Sequence, residues 1–452
     1  MGEQNTVKDA NKNLHISEEH ESNDHVFAKD YSLQAKELFK TTDVFRNRIM
    51  RIKRTIRRLY PDIVNERKKA REWISNRIAT VRESPINEIG EVERTQLIEM
   101  LTDIKTPFDR VFIRGMFLSI FSELDAFTEA FLTSLFELKP DIMLGNQKQV
   151  NASEVFECDS IERLKEKVIQ KEIETIKRDS YIDQIYYLER TFNIETLRKF
   201  QNWSKYVEIT QRRNLIMHND GITNEQYIKV CGSNGVTCDM KVGQELYLDF
   251  DYLMEAISVI EEVSLKLIQT LWRKCFPDNT LLGEFDDILN QTIYSILDDG
   301  EWSLAKELGD YACKLKEQEP EFEMMFLINY CIALKNLKED KKVAELLKRI
   351  SSIMDQEFVL AKFVLQNDLE NTIRMMKKVG TEGTYFRRET YPIFPLFSDM
   401  RKEKIFRDTY KSLFGEDIDK KEIDTRIEDA EKADEEGPAV PSSTDNTPLI
   451  TF

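Results

Sequence analysis

The sequence predicts a mainly α-helical protein, because its composition and the spacing of its apolar residues both favour helix. Gly and Pro are sparse, at 15 and 11 of 452 residues, so few positions interrupt a helix. Hydrophobic residues make up 41% of the chain, enough to bury real cores, and charged residues make up 33%. Apolar residues recur at three- and four-residue steps through most of the chain, which is typical of amphipathic helices. At this length we expect two or three domains.

The N-terminal region combines a polar tail with basic helices. Residues 1–28 are polar and without periodicity, and we expect a disordered tail there. Residues 29–99 are predicted to hold two helices. The first begins near Tyr31 and is broken at Pro61, and the second ends near Arg82.

Basic side chains cluster within these two helices, although the formal net charge of the chain is -17. An acidic chain argues against general nucleic-acid binding, so the cluster is a local positive patch. It fits either the solvated faces of two amphipathic helices or an RNA-contacting surface. The cluster comprises Arg51, Lys53, Arg54, Arg57, Arg58, Arg67, Lys68, Lys69 and Arg71.

Residues 100–278 are predicted to form a helical bundle. Its most apolar stretch, residues 107–138, predicts a long helix that is apolar almost all round, as in the centre of a bundle. Glu123 and Asp125 interrupt that stretch. A carboxylate in such a helix usually has a partner, because an unpaired buried charge is costly.

The second half of this region returns to helix over residues 181–218. Asn219, Asp220 and Gly221 follow, and these residue types tolerate the left-handed conformation that ends a helix. Short apolar runs around tight turns at 226–249 predict a small β-hairpin insertion. Asp251 is then expected to cap a further long helix.

Residues 284–416 contain pairs of helices of about 12 to 16 residues, joined by small polar turns. Ala305 and Ala344 follow two of these turns and are expected to face inward. The pattern resembles tetratricopeptide-like helical repeats, and the alternative is an ordinary helical bundle. Residues 417–452 are acidic and then rich in Pro, Ser and Thr, so we expect a disordered tail.

One short segment carries candidate chemistry. His218 ends a predicted helix and is the only histidine outside the N-terminal tail. A lone histidine there can simply interact with the helix dipole. Asn214 lies four residues earlier and therefore shares its face. Arg213 lies five residues earlier, about 140° round the helix, so its long side chain would have to curl to reach the same cleft.

These three residues supply what metal-free cleavage of RNA requires. The ribose 2′-hydroxyl attacks the adjacent phosphorus, and an imidazole with a pKa near neutrality can remove or supply a proton. An arginine can hold the phosphate and stabilise the charge that grows on its oxygens. DNA lacks the 2′-hydroxyl and would resist this route.

The segment Arg213-Asn214-Leu215-Ile216-Met217-His218 resembles the Arg-x(4–6)-His signature of the HEPN superfamily, in which a polar residue directly follows the arginine. A long apolar helix that carries an acidic residue precedes the motif, as in HEPN domains of bacterial defence proteins. The resemblance implies a metal-independent endoribonuclease that needs no cofactor. Arg213 and His218 would be its catalytic pair, Asn214 their polar companion, and Asp125 or Glu123 a supporting acid.

The resemblance also implies a homodimer in which two motifs face one cleft, and a role as a toxin or abortive-infection effector against phage. The C-terminal helices would then bind a protein partner. Two alternatives remain: a non-catalytic HEPN domain that binds nucleotide or acts as a scaffold, and a purely structural helical interaction protein. Other enzyme classes are disfavoured, since the chain lacks a Gly-rich phosphate loop, a Gly-x-Ser-x-Gly elbow and a His-Glu-x-x-His motif.

The expected compartment is the cytoplasm. The polar N-terminus has no apolar signal segment, and no run of about 18 apolar residues predicts a membrane span. The six cysteines are scattered and without closely spaced histidines, which indicates reduced thiols rather than disulfides or a metal site.

Overall fold

The protein is mostly helical and divides into two compact units, Met1–Pro277 and Asp278–Phe452. In the first helix, side chains are described from Lys40 to Thr80. The computed structural model describes residues 6–83, 92–93, 95–100, 108–140, 142, 150–237, 240–276, 281–316, 318–351 and 354–418.

Eight helices of the first unit have bounds among the described residues, together with a 3₁₀ turn at Leu197–Lys199, and residues 92–93 and 95–100 are also helical. The helices are α1 Thr6–Glu83, α2 Phe108–Leu138, α3 Ala152–Phe156, α4 Ile161–Arg178, α5 Tyr181–Phe192, α6 Trp203–His218, α7 Glu225–Ser233 and α8 Phe250–Cys275.

Helix α1 runs without interruption through Pro61, so the predicted break at this proline is wrong. An interior proline costs roughly 3 kcal/mol through a lost hydrogen bond and a steric clash. Packing on both sides offsets this cost. Tyr60 stacks on Phe250 with ring centroids 5.0 Å apart, and further along Ile74 packs against Leu97.

The same helix includes residues 6–28, where the sequence predicts a disordered tail. No Gly or Pro occurs between Thr6 and Tyr60, so nothing in the local sequence interrupts a helix that begins early. Helix α1 also belongs to the same compact unit as the bundle that follows it.

Helix α2 lies at the centre of the first unit, where it contacts α1, α4, α6 and α8. The long helix predicted over 107–138 is thus present. Its aromatic side chains interlock with their neighbours; for example, Phe45 of α1 stacks on Phe127 with centroids 4.3 Å apart. Between α1 and α8, the Lys53 ammonium lies 2.7 Å from the Glu261 carboxylate, and both side chains are fully buried. A charge in this position requires its partner.

The β-hairpin predicted at 226–249 is wrong, because residues Glu225–Ser233 form helix α7 and the described part of this region has no strand. Asn224 caps the helix by accepting a hydrogen bond from the Tyr227 backbone N–H at 2.8 Å. Tyr227 and Cys231 are four residues apart and pack together in one apolar cluster, which suits a helical face. An isolated antiparallel bridge joins Ile222 to Glu245.

Helix α8 begins two residues earlier than the sequence predicts. Asp249, not Asp251, is its N-cap, and the Asp249 carboxylate accepts a hydrogen bond from the Tyr252 backbone N–H at 2.8 Å. Asp251 lies in the first turn, where its charge still favours the positive end of the helix dipole.

The second unit contains eight helices among its described residues, with 3₁₀ turns at Leu347–Arg349, Pro395–Phe397 and Met400–Lys402. The helices are α9 Leu282–Asp298, α10 Trp302–Ala312, α11 Pro320–Asn336, α12 Asp340–Leu346, α13 Gln356–Leu365, α14 Leu369–Val379, α15 Thr390–Ile393 and α16 Lys404–Phe414.

Three helix pairs in this unit, α9/α10, α11/α12 and α13/α14, share one turn geometry. The turn residues Gly300, Lys338 and Asn367 have φ values of 72°, 62° and 57°. After each of them, the next backbone N–H bonds to a carbonyl five residues earlier, which satisfies the end of the preceding helix. These bonds run from Glu301 to Ile296, from Glu339 to Leu334 and from Asp368 to Phe363.

The shared turns set which residues of the following helix point inward. Ala305, Val343 and Thr372 occupy equivalent positions, each being the fourth residue of its helix, and all three are buried. The prediction for Ala305 is therefore confirmed, while that for Ala344 is wrong because Ala344 is exposed. The predicted inward-facing position is one residue too late, because the sequence alone does not show that Lys338 adopts the left-handed conformation.

Within the described residues, every helix is either too short or too polar to cross a membrane.

Candidate functional site

The motif occupies the last two turns of helix α6, which ends at His218. The turn that follows adopts the predicted left-handed conformation, with φ of 49° at Asp220 and 77° at Gly221. The Leu215 carbonyl accepts hydrogen bonds from the backbone N–H groups of Asn219 and Gly221, at 2.7 and 3.0 Å. His218 therefore lies at a helix end that is firmly terminated.

Arginines of helix α2 hold the loop that follows His218. Arg114 donates hydrogen bonds to the carboxylate of Asp220 at 2.5 Å and to its backbone carbonyl at 2.8 Å. Arg110 forms an ion pair with Glu245, the residue that bridges to Ile222. The paired guanidinium of Arg114 lowers the pKa of the Asp220 carboxyl below its ordinary value. These contacts fix the C-terminal end of α6 relative to α2.

The three predicted site residues line one open pocket of about 510 Å³. His218 is exposed there, and Arg213 and Asn214 are half-buried. The structure thus brings Arg213 and His218 to the same pocket although they are about 140° apart on the helix. The pocket is lined by Asp125, Lys177, Arg178, Asp179, Ser180, Tyr181, Gln184, Gln211, Arg213, Asn214, Leu215, His218, Asn219, Asn224, Gln226 and Tyr227.

Two aromatic rings position Arg213. Its guanidinium carbon lies 5.7 Å from the ring centroid of Tyr181 and 5.9 Å from that of Phe121, within the range of a cation–π contact. Its Nη1 donates a long hydrogen bond of 3.3 Å to the Asn214 side-chain oxygen. Its Nε is buried and has no hydrogen-bond partner among the described residues. This cation is oriented mainly by packing and keeps donors available for a ligand.

Arg212, the preceding residue, has a different environment. Its Nε donates to Glu208 at 2.7 Å, and one terminal nitrogen donates to the Tyr247 carbonyl at 3.1 Å. Its guanidinium also stacks on the Tyr252 ring at 3.9 Å. Glu208 further accepts hydrogen bonds from Tyr227 and Tyr252. Arg212 does not line the pocket and serves to hold α6 in place.

The geometry distinguishes between the two acidic candidates of α2. Glu123 forms an ion pair with Arg48 at 3.2 Å and does not line the pocket. Asp125 lines the pocket and accepts a hydrogen bond from the Tyr181 hydroxyl at 2.8 Å. Burial raises the pKa of Asp125, and the Tyr181 hydrogen bond and the charge of Arg213 oppose that rise. Asp125 is therefore the acidic neighbour of Arg213.

The junction between α4 and α5 supplies further pocket residues that the sequence did not reveal. Lys177 and Arg178 end α4, and Tyr181 begins α5. Ser180 caps α5 by accepting a hydrogen bond from the Asp183 backbone N–H at 3.2 Å. The pattern Ser-x-x-Asp at residues 180–183 is typical of a helix N-cap and could have predicted it. Its proximity to a motif more than 30 residues later depends on tertiary packing and had no sequence signal.

The pocket lining contains three lysine or arginine side chains and two carboxylates, Asp125 and Asp179. Lys177 pairs with Glu129, and Arg178 lies 3.6 Å from Glu174 at the surface. Together with Arg213 they give the pocket lining one more basic side chain than it has carboxylates. Within the described ranges, no group of three His, Cys, Asp or Glu side chains is placed to hold a metal ion.

Gln211 was a further missed residue, although its spacing could have identified it. It lies three residues before Asn214 and seven before His218, so all three share one face of α6.

Comparison with models of protein families, with curated proteins and with solved structures finds no match to this chain.

Proposed function

We propose that this protein is a HEPN-like, metal-independent endoribonuclease whose catalytic pair is Arg213 and His218, with Asn214 as their polar companion. The observation that carries the proposal is that these three side chains line one open pocket, with His218 exposed in it. An exposed imidazole at the end of a rigid helix can exchange protons with a bound substrate. A buried structural histidine would lack this access.

The proposed reaction is an internal transfer of the phosphate. The ribose 2′-oxygen attacks the adjacent phosphorus and loses its proton, while the bond to the 5′-oxygen of the next nucleotide breaks and that oxygen gains a proton. The products are a 2′,3′-cyclic phosphate and a 5′-hydroxyl. His218 transfers one of these protons, and Arg213 stabilises the charge that develops on the phosphate oxygens.

Asn214 and Asp125 would position this machinery rather than take part in bond cleavage. Asn214 accepts a hydrogen bond from Arg213, and Asp125 is the charge that faces it across Tyr181. Lys177 and Arg178 add positive charge for the flanking phosphates of an RNA strand. These local charges offset the acidic balance of the chain as a whole.

A homodimer would complete the proposed site. A single motif supplies one histidine, whereas two protons move, so the partner's His218 would serve as the second proton-transfer group. Exposed apolar side chains at the motif fit such an interface: Met217 and Ile222 have exposed fractions of 48% and 40% and lie on either side of His218 in the sequence.

The experiment incubates the purified full-length protein with single-stranded RNA in EDTA and identifies the products by mass spectrometry. We expect 2′,3′-cyclic phosphate ends, and we expect His218→Ala to cut the rate by about 10²- to 10⁴-fold. DNA of the same sequence and 2′-O-methyl RNA are the controls, and neither should be cleaved. Equal cleavage by wild type and His218→Ala would reject the proposal.

The biological setting that we propose is a cytoplasmic toxin or abortive-infection effector, with the helix pairs of the second unit as a tetratricopeptide-like site for a protein partner. The three equivalent turns at Gly300, Lys338 and Asn367 support a repeat over an ordinary bundle. Expression in bacteria should be toxic, and His218→Ala should abolish the toxicity. A non-catalytic nucleotide-binding scaffold would instead keep its phenotype in that variant.

A further inference from the structure

Gln211 is a buried polar side chain that no protein group satisfies. Only 6% of it is exposed, it lines the pocket, and no hydrogen bond joins its carboxamide to any described residue. Its carboxamide oxygen and nitrogen both keep contact with the solvent of the open pocket, although the rest of the side chain is buried. A ligand in the pocket can therefore use both its N–H and its C=O.

Other carboxamides line the same pocket as Gln211. Gln184 is also buried and donates through Nε2 to the Asp179 carbonyl at 3.1 Å, which leaves its own oxygen as an acceptor. Asn224 uses its oxygen to cap α7, which leaves its N–H₂ group as a donor. Gln226 is exposed at the rim. These carboxamides offer donors and acceptors to a ligand, in contrast to the cations of Lys177 and Arg213.

The position of Gln211 places it beside the proposed cleavage chemistry. Seven residues separate it from His218 on a continuous helix, which is about 10 Å along the axis, with Asn214 between them on the same face. A cavity of about 510 Å³ lies within the range of ordinary small-ligand pockets. This volume is sufficient for a nucleotide, whose phosphate would lie at Arg213 and whose base would lie at Gln211.

We propose that Gln211 determines the base specificity of the pocket by pairing through its carboxamide with a nucleobase edge. The inference rests on the proposed ribonuclease function and adds a specificity residue outside the motif. A carboxamide presents one donor beside one acceptor, which complements an amino group next to a ring nitrogen. Adenine offers this pair on both its Watson–Crick and its Hoogsteen edge, whereas cytosine offers it on one edge. Unstacked bases of single-stranded RNA expose these edges. Adenine is accordingly the preferred base next to the cleaved bond.

The first experiment compares cleavage of four short RNAs that differ only in the base at one position. Wild type should prefer adenine by about 10- to 100-fold, the discrimination expected of one bidentate pair. Gln211→Met keeps the size of the side chain and removes both hydrogen-bonding groups, so cleavage of the adenine substrate should fall to the level of the others. Gln211→Glu has only acceptors, so its preference should move to guanine, whose edge offers two adjacent donors.

Gln269 provides a matched control in the same unit. It is a buried glutamine of α8 whose side-chain oxygen also lacks a hydrogen-bond partner within the described structure, but it does not line the pocket. Gln269→Met should leave the preference for adenine intact. An equal loss of preference in Gln211→Met and Gln269→Met would overturn the proposal, because it would show a general effect of core substitution.

A binding experiment separates this inference from the proposed cleavage. Uncleavable 2′-O-methyl oligonucleotides with each of the four bases are titrated against wild type and Gln211→Met, with fluorescence anisotropy as the readout. Binding that prefers adenine in wild type and loses the preference in Gln211→Met supports the inference, even if no RNA is cleaved. Cleavage of RNA without any base preference overturns the inference and leaves the ribonuclease proposal standing.

Discussion

The two neighbouring arginines of helix α6 have different surroundings. The polar side chains around Arg212 are hydrogen-bonded to one another, whereas several around Arg213 have no partner in the described part of the chain. Around Arg212, the carboxylate of Glu208 accepts hydrogen bonds from the guanidinium and from the hydroxyls of Tyr227 and Tyr252. Around Arg213, the Nε group and the nearby Gln211 carboxamide have no partner within the described residues. We call Glu208 with Arg212, Tyr227 and Tyr252 the Glu208 cluster, and we call Arg213 with Gln211 the pocket wall.

The difference indicates where the chain stabilises its fold and where it is ready to bind. Buried polar groups in folded proteins are almost always hydrogen-bonded, so a group without a partner needs a specific explanation. The Glu208 cluster has the partners expected of a structural network. The pocket wall retains unused donors and acceptors on a rigid helix, which is the arrangement a ligand site requires.

The largest expected effect comes from exchanging the two arginines for alanine. Arg213→Ala should lower RNA cleavage by about 10²- to 10³-fold, the cost of removing one group that stabilises transition-state charge. Its free energy of unfolding should change little, since Arg213 makes only a long hydrogen bond and ring contacts. The measurements are initial rates on RNA and urea unfolding.

Arg212→Ala is the matched variant, and it should show the opposite pattern. It leaves the Glu208 carboxylate without its cation in a largely buried position, where the side chains of both residues are 14% exposed. Breaking a fully buried pair costs about 3–5 kcal/mol, and we expect roughly 3 kcal/mol here. Cleavage per folded molecule should stay within a few-fold of wild type. If Arg212→Ala abolished cleavage without loss of stability, the division into two regions would be wrong.

The next largest expected effect is a loss of stability on substituting Gly221, in the loop that fixes the end of α6. This loop belongs to neither the Glu208 cluster nor the pocket wall. Gly221 has a φ of 77°, and a Cβ at this position would lie 2.7 Å from Nη2 of Arg114. Gly221→Ala should therefore destabilise the protein by about 2 kcal/mol, from the left-handed backbone and from displacement of Arg114. Gly235 has nearly the same φ, 76°, and open space around its Cβ position, so Gly235→Ala should cost only about 1 kcal/mol.

Urea unfolding of the two glycine variants measures the difference. Because Arg114 holds Asp220, Gly221→Ala should also reduce cleavage several-fold through movement of His218, and Gly235→Ala should not. Equal destabilisation by both variants would mean that the Arg114 contact contributes nothing to the end of α6.

Much of the helical fold could be predicted from sequence, because its signals are local. The apolar run at 107–138 and the Asn219–Gly221 turn both have a direct physical reading, and both are present. The errors occur where tertiary contacts override local preference. Pro61 stays within a helix because residues on both sides are packed. Residues 225–233 alternate loosely enough to predict a strand, but the cluster around Leu215 selects the helical face.

The candidate site was predictable only along one helix. The spacing of Arg213, Asn214 and His218 identified the motif, and the same spacing extends back to Gln211. The contributions of Lys177 and Tyr181 come from another part of the chain, and no local pattern connects them to α6. The choice between Glu123 and Asp125 likewise required the structure, since both residues lie on one helix and differ only in what they face.

The smallest expected effect tests the acid that faces Arg213 in the pocket wall. Asp125→Asn keeps an oxygen that can accept the Tyr181 hydrogen bond but removes the negative charge near Arg213. We expect cleavage to fall by about tenfold, because the negative charge near Arg213 is lost and its ring contacts alone then hold it, an effect of about 1.4 kcal/mol. Steady-state rates on RNA provide the measurement, and Glu123→Gln is the control because Glu123 pairs with Arg48 away from the pocket.

Stability should respond to Asp125→Asn in the direction opposite to activity. Burial raises the pKa of Asp125 in the folded state above its ordinary value of 3.8, so the folded protein binds this proton more tightly than the unfolded chain. The stabilising contribution of the protonated carboxyl is therefore complete below pH 3.8 and is lost as the pH rises through the raised value. Asparagine does not ionise. The stability of Asp125→Asn relative to wild type, measured as the difference in free energy of unfolding, should therefore be greater at pH 7 than at pH 4. A larger deficit at pH 7 than at pH 4 would place Asp125 with the satisfied groups of the Glu208 cluster instead of the pocket wall.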